Sequence, residues 1–156
     1  MFRDLRTGVD SVLEHPPGHA GCLGDPGWCF ILSGDSLRIL SDLELDPGAR
    51  AWRATTAREL AAGRAPTILA LMGEHDLVVS SVDGIGVFDV RTGEQSVHLP
   101  LEGRLVFGVA REASGPGGWS YAGRNDTTRL EMDAVRLETG ATWERIHSGP
   151  PSFLFA

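Results

Sequence analysis

Short apolar runs set the rhythm of this 156-residue chain, each four to six residues long and broken by Gly, Pro and Asp. The pattern is clearest between Thr67 and Pro100. There Ile68–Leu71, Leu77–Ser81, Ile85–Val90 and Gln95–Leu99 are separated by Gly73–Asp76, Val82–Gly84 and Arg91–Glu94. Runs of that length bounded by turn formers predict strands joined by tight hairpins. Apolar and polar residues alternate in Leu37-Arg38-Ile39, and every second side chain is apolar in Ile85-Gly86-Val87. That is the period-2 signature of a strand with one buried face. Asp35, Asp83 and Asp126 mark the same turn in successive units, because Asp tolerates tight-turn geometry and bonds its own backbone.

The strands recur as a unit. Four segments align on a glycine: Asp4–Gly8, Glu44–Gly48, Asp89–Gly93 and Arg136–Gly140, the glycines being 40, 45 and 47 residues apart. Each has an aliphatic residue three before the glycine and Thr or Pro directly before it. An apolar element follows 14 residues after three of the glycines, at Cys22, Phe107 and Leu154. The second unit is longer, and its extra residues fall in Thr55–Pro66. An insertion confined to one loop is what a modular array tolerates. Within that insertion Thr55 and Thr56 precede Ala57-Arg-Glu-Leu-Ala-Ala-Gly63, which predicts a short capped loop helix over 55–66.

Four strands per unit of about 45 residues is the content of one blade of a β-propeller. The stretch Asp83-Gly-Ile-Gly-Val-Phe-Asp-Val-Arg-Thr-Gly-Glu94 resembles the blade core of WD-repeat and quinoprotein-like propellers: an Asp-Gly turn, an alternating strand, an aromatic-Asp pair, then Thr-Gly. The likeness runs through almost the whole chain as a looser pattern. The Gly-His dipeptide of WD repeats and the Trp docking motif of quinoproteins are absent from it. The resemblance implies an all-β chain of about three and a half four-stranded antiparallel blades, forming a small or incomplete β-propeller. It divides into a partial blade over 1–15, blades over about 16–54, 67–100 and 101–147, and an inner strand over 152–156. A β-sandwich or barrel is the alternative. Such an array could be a distorted four-bladed monomer, a ring completed by copies of itself, or half of a ring completed by another protein.

Composition removes several chemistries. All 14 basic residues are Arg. Without Lys there is no Schiff-base or pyridoxal chemistry and no Walker-type phosphate loop. The formal charge is −7 with basic residues scattered, which argues against nucleic acid as a partner. No 18-residue apolar run and no signal-type apolar stretch in Met1–Gly8 point to a cytoplasmic chain without a membrane partner. The scarcity of Lys, Asn and Gln fits a GC-rich bacterial genome.

Few residues suggest a site. His15, His19, Cys22 and Cys29 carry four ligand types within fifteen residues, a weak zinc candidate whose spacing matches no recognised pattern. Two buried thiols with loop histidines are the expected arrangement. A disulfide across the Leu23–Trp28 hairpin is conceivable but disfavoured by a cytosolic address. His15 and His147 each lie seven residues after a repeat glycine and would approach one another if a ring closed. Gly118-Trp-Ser-Tyr-Ala-Gly123 lacks the strand–turn–helix context of a nucleophile elbow. Asp42, Glu44 and Asp46 share one strand face as a solvated acidic strip, and the Trp28/Trp119 and Trp52/Trp143 pairs suit blade packing.

These features lead to a non-enzymatic protein-interaction, scaffold or assembly module of a bacterial complex. It would bind a protein partner or itself through blade loops and open edges, with no cofactor. The expected contact residues are His15, His19, Arg58, Glu59, Arg64, Glu102, Arg104 and His147, all in or beside the connections between blades. One alternative is an immunity-type inhibitor that blocks a cognate toxin, on size and acidity alone. Another is a small-ligand-binding or enzymatic propeller with a central pocket, for which the inner strands are nearly all apolar.

Overall fold

The alternating segments become strands, and the turns between them carry the residues that tight reversals require. The computed structural model describes residues 2–3, 10–14, 18–23, 28–46, 48–49, 51–112, 117–125 and 129–150. Two compact units are formed, Met1–Ala61 and Ala62–Ala156. All secondary structure among the described residues is β, so the fold is all-β.

The first unit holds β1 (Phe2–Arg3), β2 (Asp10–Glu14), β3 (His19–Leu23), β4 (Trp28–Ser33), β5 (Ser36–Asp46) and β6 (Ala51–Leu60). They form one sheet in the order β1-β2-β6-β5-β4-β3. Strands β3 to β6 are an antiparallel meander, and β2 joins its outer strand in parallel, Val12 opposite Ala51. Leu37 and Ile39 are buried while Arg38 between them is exposed, as the alternation requires.

Two expectations fail here. The segment 55–60 is strand, not helix, so the strand that follows Gly48 runs on to Leu60. Helix propensity in Ala57–Ala62 is worth a few tenths of a kcal/mol per residue, and it is overridden by a long ladder with β5. Leu60 stands opposite Leu37 in the core, Glu59 opposite Arg38, and Thr56 opposite Ser41. Glu59 also accepts a hydrogen bond from Ser36 at 3.1 Å. A helix there would leave half of the eleven-residue β5 without a partner for its backbone groups. The second correction concerns the cysteines. Hairpin register sets Leu23 opposite Trp28, hence Cys22 opposite Cys29, with Cα atoms 4.0 Å apart, and the two form a disulfide instead of buried thiols.

The second unit contains two antiparallel four-stranded meanders. The first comprises β7 (Thr67–Met72), β8 (Asp76–Ser80), β9 (Ile85–Asp89) and β10 (Gln95–Leu99); the second β11 (Leu105–Arg111), β12 (Gly118–Asn125), β13 (Leu130–Arg136) and β14 (Glu144–Gly149). In both, the order in space follows the order in the chain. The four strands expected between Thr67 and Pro100 fall within a residue or two of those observed.

The repeat glycines sit in the turn between the third and fourth strand of each meander. Gly93 and Gly140 have φ of 77° and 80°, a region that a side chain disfavours. Asp residues build two of these turns. Asp46 accepts backbone N–H bonds from Gly48 and Ala49, and Asp89 from Arg91 and Thr92. Asp4–Gly8, Asp126 and the segment 152–156 lie outside the described residues.

The two meanders of this unit share a core. Met72, Val78, Ile85, Val87, Val97 and Leu99 from the first pack with Val135 and Leu137 from the second, and Val106, Val109 and Trp143 close around them. Two hydrogen bonds cross between the sheets: Thr139 Oγ1 donates to the Ser96 carbonyl at 3.1 Å, and Trp143 Nε1 to that of Pro100 at 3.0 Å.

Candidate functional site

The second meander of the Ala62–Ala156 unit carries the two features that stand out. One is a buried charge cluster and the other an open apolar face.

Asp133 lies on β13 opposite Ala122, on the face turned to the shared core, and is 1% exposed. A lone carboxylate there would be prohibitively costly, and two guanidiniums offset the cost. Arg104 Nε donates to Oδ2 at 2.7 Å, and Arg145 Nε, from β14, donates to Oδ1. Arg104 also pairs with Glu102 at 2.8 Å and donates to the Leu101 carbonyl at 3.3 Å, while Arg145 pairs with Glu131 at 2.8 Å. The Arg104 guanidinium rests 5.0 Å from the centroid of the Trp143 ring, a cation–π distance.

Burial pushes the Asp133 carboxyl up, but the hydrogen bonds from Arg145 and Arg104 outweigh it and hold the group below the usual carboxylate range. For Arg104, desolvation is likewise outweighed by Asp133 and Glu102, so its pKa rises. A carboxylate saturated by two guanidiniums and held ionised has no proton to give and little basicity. The cluster is a clasp that ties the connection before β11 to β13 and β14.

The opposite face of this sheet is apolar and open on its β11 side, whereas Leu130 and Ala134 on β13 are buried there. Leu105 stands across from Gly123, which pairs with Met132; Tyr121 pairs with Ala134. A Cβ at Gly123 would collide with the edge of the Phe107 ring, so that ring takes the space a side chain would fill. Leu105 is 69% and Phe107 53% exposed, with Trp119, Tyr121 and Met132 half-buried around them. Four large apolar side chains are exposed among the described residues, and three of them (Leu105, Phe107 and Ile146) belong to this sheet. Both edge strands carry a register shift, but the β11 edge bears no charge before Arg111, whereas the β14 edge carries Glu144 and Arg145, charges of the kind that guard an edge.

The expected contact residues are dispersed. His19 is exposed on β3 opposite Leu32. Arg58 and Glu59 are neighbours on β6, opposite Ile39 and Arg38, not members of a loop helix. Arg64 pairs with Asp83 at 3.5 Å, and its backbone N–H donates to the same carboxylate. Glu102 is exposed, whereas Arg104, in the same connection, turns its side chain into the clasp and leaves it 9% exposed. His147 lies on β14 opposite Met132, and His15 is outside the described residues.

The disulfide removes both thiolates from the His15, His19, Cys22, Cys29 set. Among the described residues no group of three or more His, Cys, Asp or Glu is placed to hold a metal. Ser120 sits within β12, fully buried, its hydroxyl donating to the Gly108 carbonyl at 3.3 Å, not on a nucleophile elbow.

Sequence reasoning missed Asp133 and the open face. A signal for the first existed, since Asp133 interrupts the apolar stretch Met132-Asp-Ala-Val135, and a charge inside a core strand needs a partner. The second had none, because local pattern does not say which apolar face finds a cover. No helix among the described residues is long and apolar enough to cross a membrane. Comparison with protein-family models, with curated proteins and with solved structures finds no match for the chain.

Proposed function

We propose that the chain is a non-catalytic interaction or assembly module of a bacterial complex. In this reading it is a small, propeller-like array of four-stranded repeats that binds a protein partner, or a second copy, through an uncovered sheet face and edge. The observation that carries it is the β11–β14 sheet, with Leu105 and Phe107 exposed beside half-buried Trp119, Tyr121 and Met132. Aromatic and methionine side chains clustered on an open surface mark protein contacts more than solvent-facing ones. The dominant charged cluster supports the same reading, since Asp133 is consumed by structure. The three successive meanders with repeat glycines in equivalent turns support the propeller-like description.

The test combines absolute mass by light scattering with capture on immobilised protein, using the wild type and Leu105→Asp/Phe107→Asp. The expected result is a discrete oligomer or a retained partner that the double variant loses. A monomer that retains nothing, indistinguishable from its variant, would overturn the reading.

A further inference from the structure

The edge strands that open two of the meanders are held in different ways. Strand β7, at one edge of its sheet, is anchored by side chains: Ile68, Leu69, Ala70 and Leu71 are half-buried and Met72 is buried. Strand β3 stands at the corresponding edge of the first sheet. Over His19–Cys22 its side chains supply no such anchor. His19 and Ala20 are exposed, Gly21 has none, and Cys22 is half-buried. Beside the backbone ladder to β4, that stretch is tied down by the Cys22–Cys29 disulfide.

We propose that this disulfide is a reducible latch, which when opened by a dithiol releases β3 and turns β4 into the edge of the sheet. Strand β4 would stay in place, because Cys29–Ser33 are registered against Ser36–Leu40 of β5, where Leu37, Ile39 and Leu40 are buried. Its newly freed side would be unguarded, since Trp28–Ser33 contains no charged residue. Departure of β3 would also uncover the Phe30 ring, which fills the space that a Cβ at Gly21 would need. The β11–β14 face plays no part in this latch.

Access decides which sulfur is attacked. Cys29 is 3% exposed, whereas Cys22 on the edge strand is half-buried. A thiolate of the dithiol attacks Cys22 Sγ, the disulfide breaks, and Cys29 leaves as a thiolate that takes up a proton. The second thiol of the reductant then displaces Cys22 from the mixed disulfide. Cys22 departs as a thiol, and the reductant closes its own disulfide. Two electrons and two protons have passed to the protein.

The test is amide hydrogen exchange in the full chain, read on peptides by mass spectrometry, with and without dithiothreitol. Thiol titration should find two thiols after treatment of the folded protein. Exchange in β3, and in the β4 amides directed at it, should then rise about 30- to 150-fold, the factor expected for losing a short-loop cross-link. Peptides from β5 and from β7–β10 should keep their protection, and reoxidation should restore that of β3. Cys22→Ser/Cys29→Ser should exchange fast in β3 from the outset and ignore dithiothreitol. Should that variant not fold, the wild type measured in the two conditions decides alone. A disulfide that dithiothreitol leaves intact in the folded protein would overturn the proposal. So would β3 amides equally protected after reduction, or protection lost together across β3, β4, β5 and β6, which would make the bond a staple of the whole sheet.

Discussion

The two meanders of the Ala62–Ala156 unit have the same strand count, order and turn positions, yet differ in what happens to their second face. In β7–β10 both faces are buried. Val78, Ile85 and Val87 lie on one, and Leu77, Val79 and Phe88 on the other, every one of them nearly inaccessible. In β11–β14 one face is as well covered, at Ala122 and Val135, while the other exposes Leu105 and Phe107. Both sheets have thus been given two apolar faces, and only one of them fills both. Stability should therefore reside in the first sheet and not in the exposed side of the second, and an aromatic residue in each reports on it.

The largest expected effect is the contrast between Phe88→Ala and Phe107→Ala. Removing the Phe88 ring from a fully buried site should cost about 3–5 kcal/mol. Removing the half-exposed Phe107 ring, whose loss leaves no sealed cavity, should cost less than about 1 kcal/mol. Urea denaturation of both variants checks this. Equal losses would show that the Phe107 face is covered in solution as fully as that of Phe88. Next comes Asp133→Ala, which strips the clasp on the covered face of the second sheet. Breaking a buried ion pair costs about 3–5 kcal/mol. The lower end applies here, because the Arg145 side chain is 41% exposed and can return to water, whereas Arg104 at 9% cannot. A shift of the urea midpoint matching about 3 kcal/mol is expected, with Arg145→Ala costing less than Arg104→Ala.

Much of this architecture was legible in the residues. The glycine repeat located the turns because Gly93 and Gly140 must adopt positive φ, and period-2 runs located β7 to β10 because each has a buried face. Where reading failed, a distant partner decided the outcome. Thr55–Leu60 has helical composition, and only the length of β5 shows that a strand is required there. Cys22 and Cys29 are joined because the hairpin register places them opposite one another, a fact of pairing rather than spacing. Arg104 looked like an exposed loop contact because nothing within ten positions announces Asp133, on which its side chain is buried. The candidate contacts were guessed from loops, whereas the exposed apolar surface lies on strands.

The third effect extends the comparison to the first hairpin of the other unit. Strands β3 and β4 occupy the place in their meander that β7 and β8 occupy in theirs, but are joined covalently. With a sequence separation of 7 the closed loop is short, and the chain-entropy argument assigns it about 2–3 kcal/mol. Cys22→Ser/Cys29→Ser should lower stability by that amount under non-reducing conditions and by nothing in a reductant, where the wild type should fall to match. Thiol titration of the unfolded wild type should find no free thiol. Two free thiols would mean that this hairpin, like β7–β8, is held by packing alone.

The smallest effect distinguishes the two repeat turns by acid. Asp89 begins the β9–β10 turn, and Arg136 is its counterpart 47 residues on. The Asp89 carboxylate receives the Arg91 guanidinium at 2.7 Å and the backbone N–H groups of Arg91 and Thr92 at 2.8 and 3.3 Å. The Arg91 side chain is the main cause, partial burial opposes it, and the backbone donors add to it, bringing the pKa from 3.8 to about 2. Because the folded value lies below the unfolded one, the stabilisation is complete above pH 3.8 and drains away as pH falls through 2. Solvent screening of a surface pair limits it to about 1 kcal/mol. Stability measured from pH 4 to pH 2 should therefore decline less steeply in Asp89→Asn than in the wild type. Arg136→Gln, which removes a group that stays protonated throughout, should leave the slope in place. A slope that survives Asp89→Asn would place the acid sensitivity in another carboxylate and leave the two turns electrostatically equivalent.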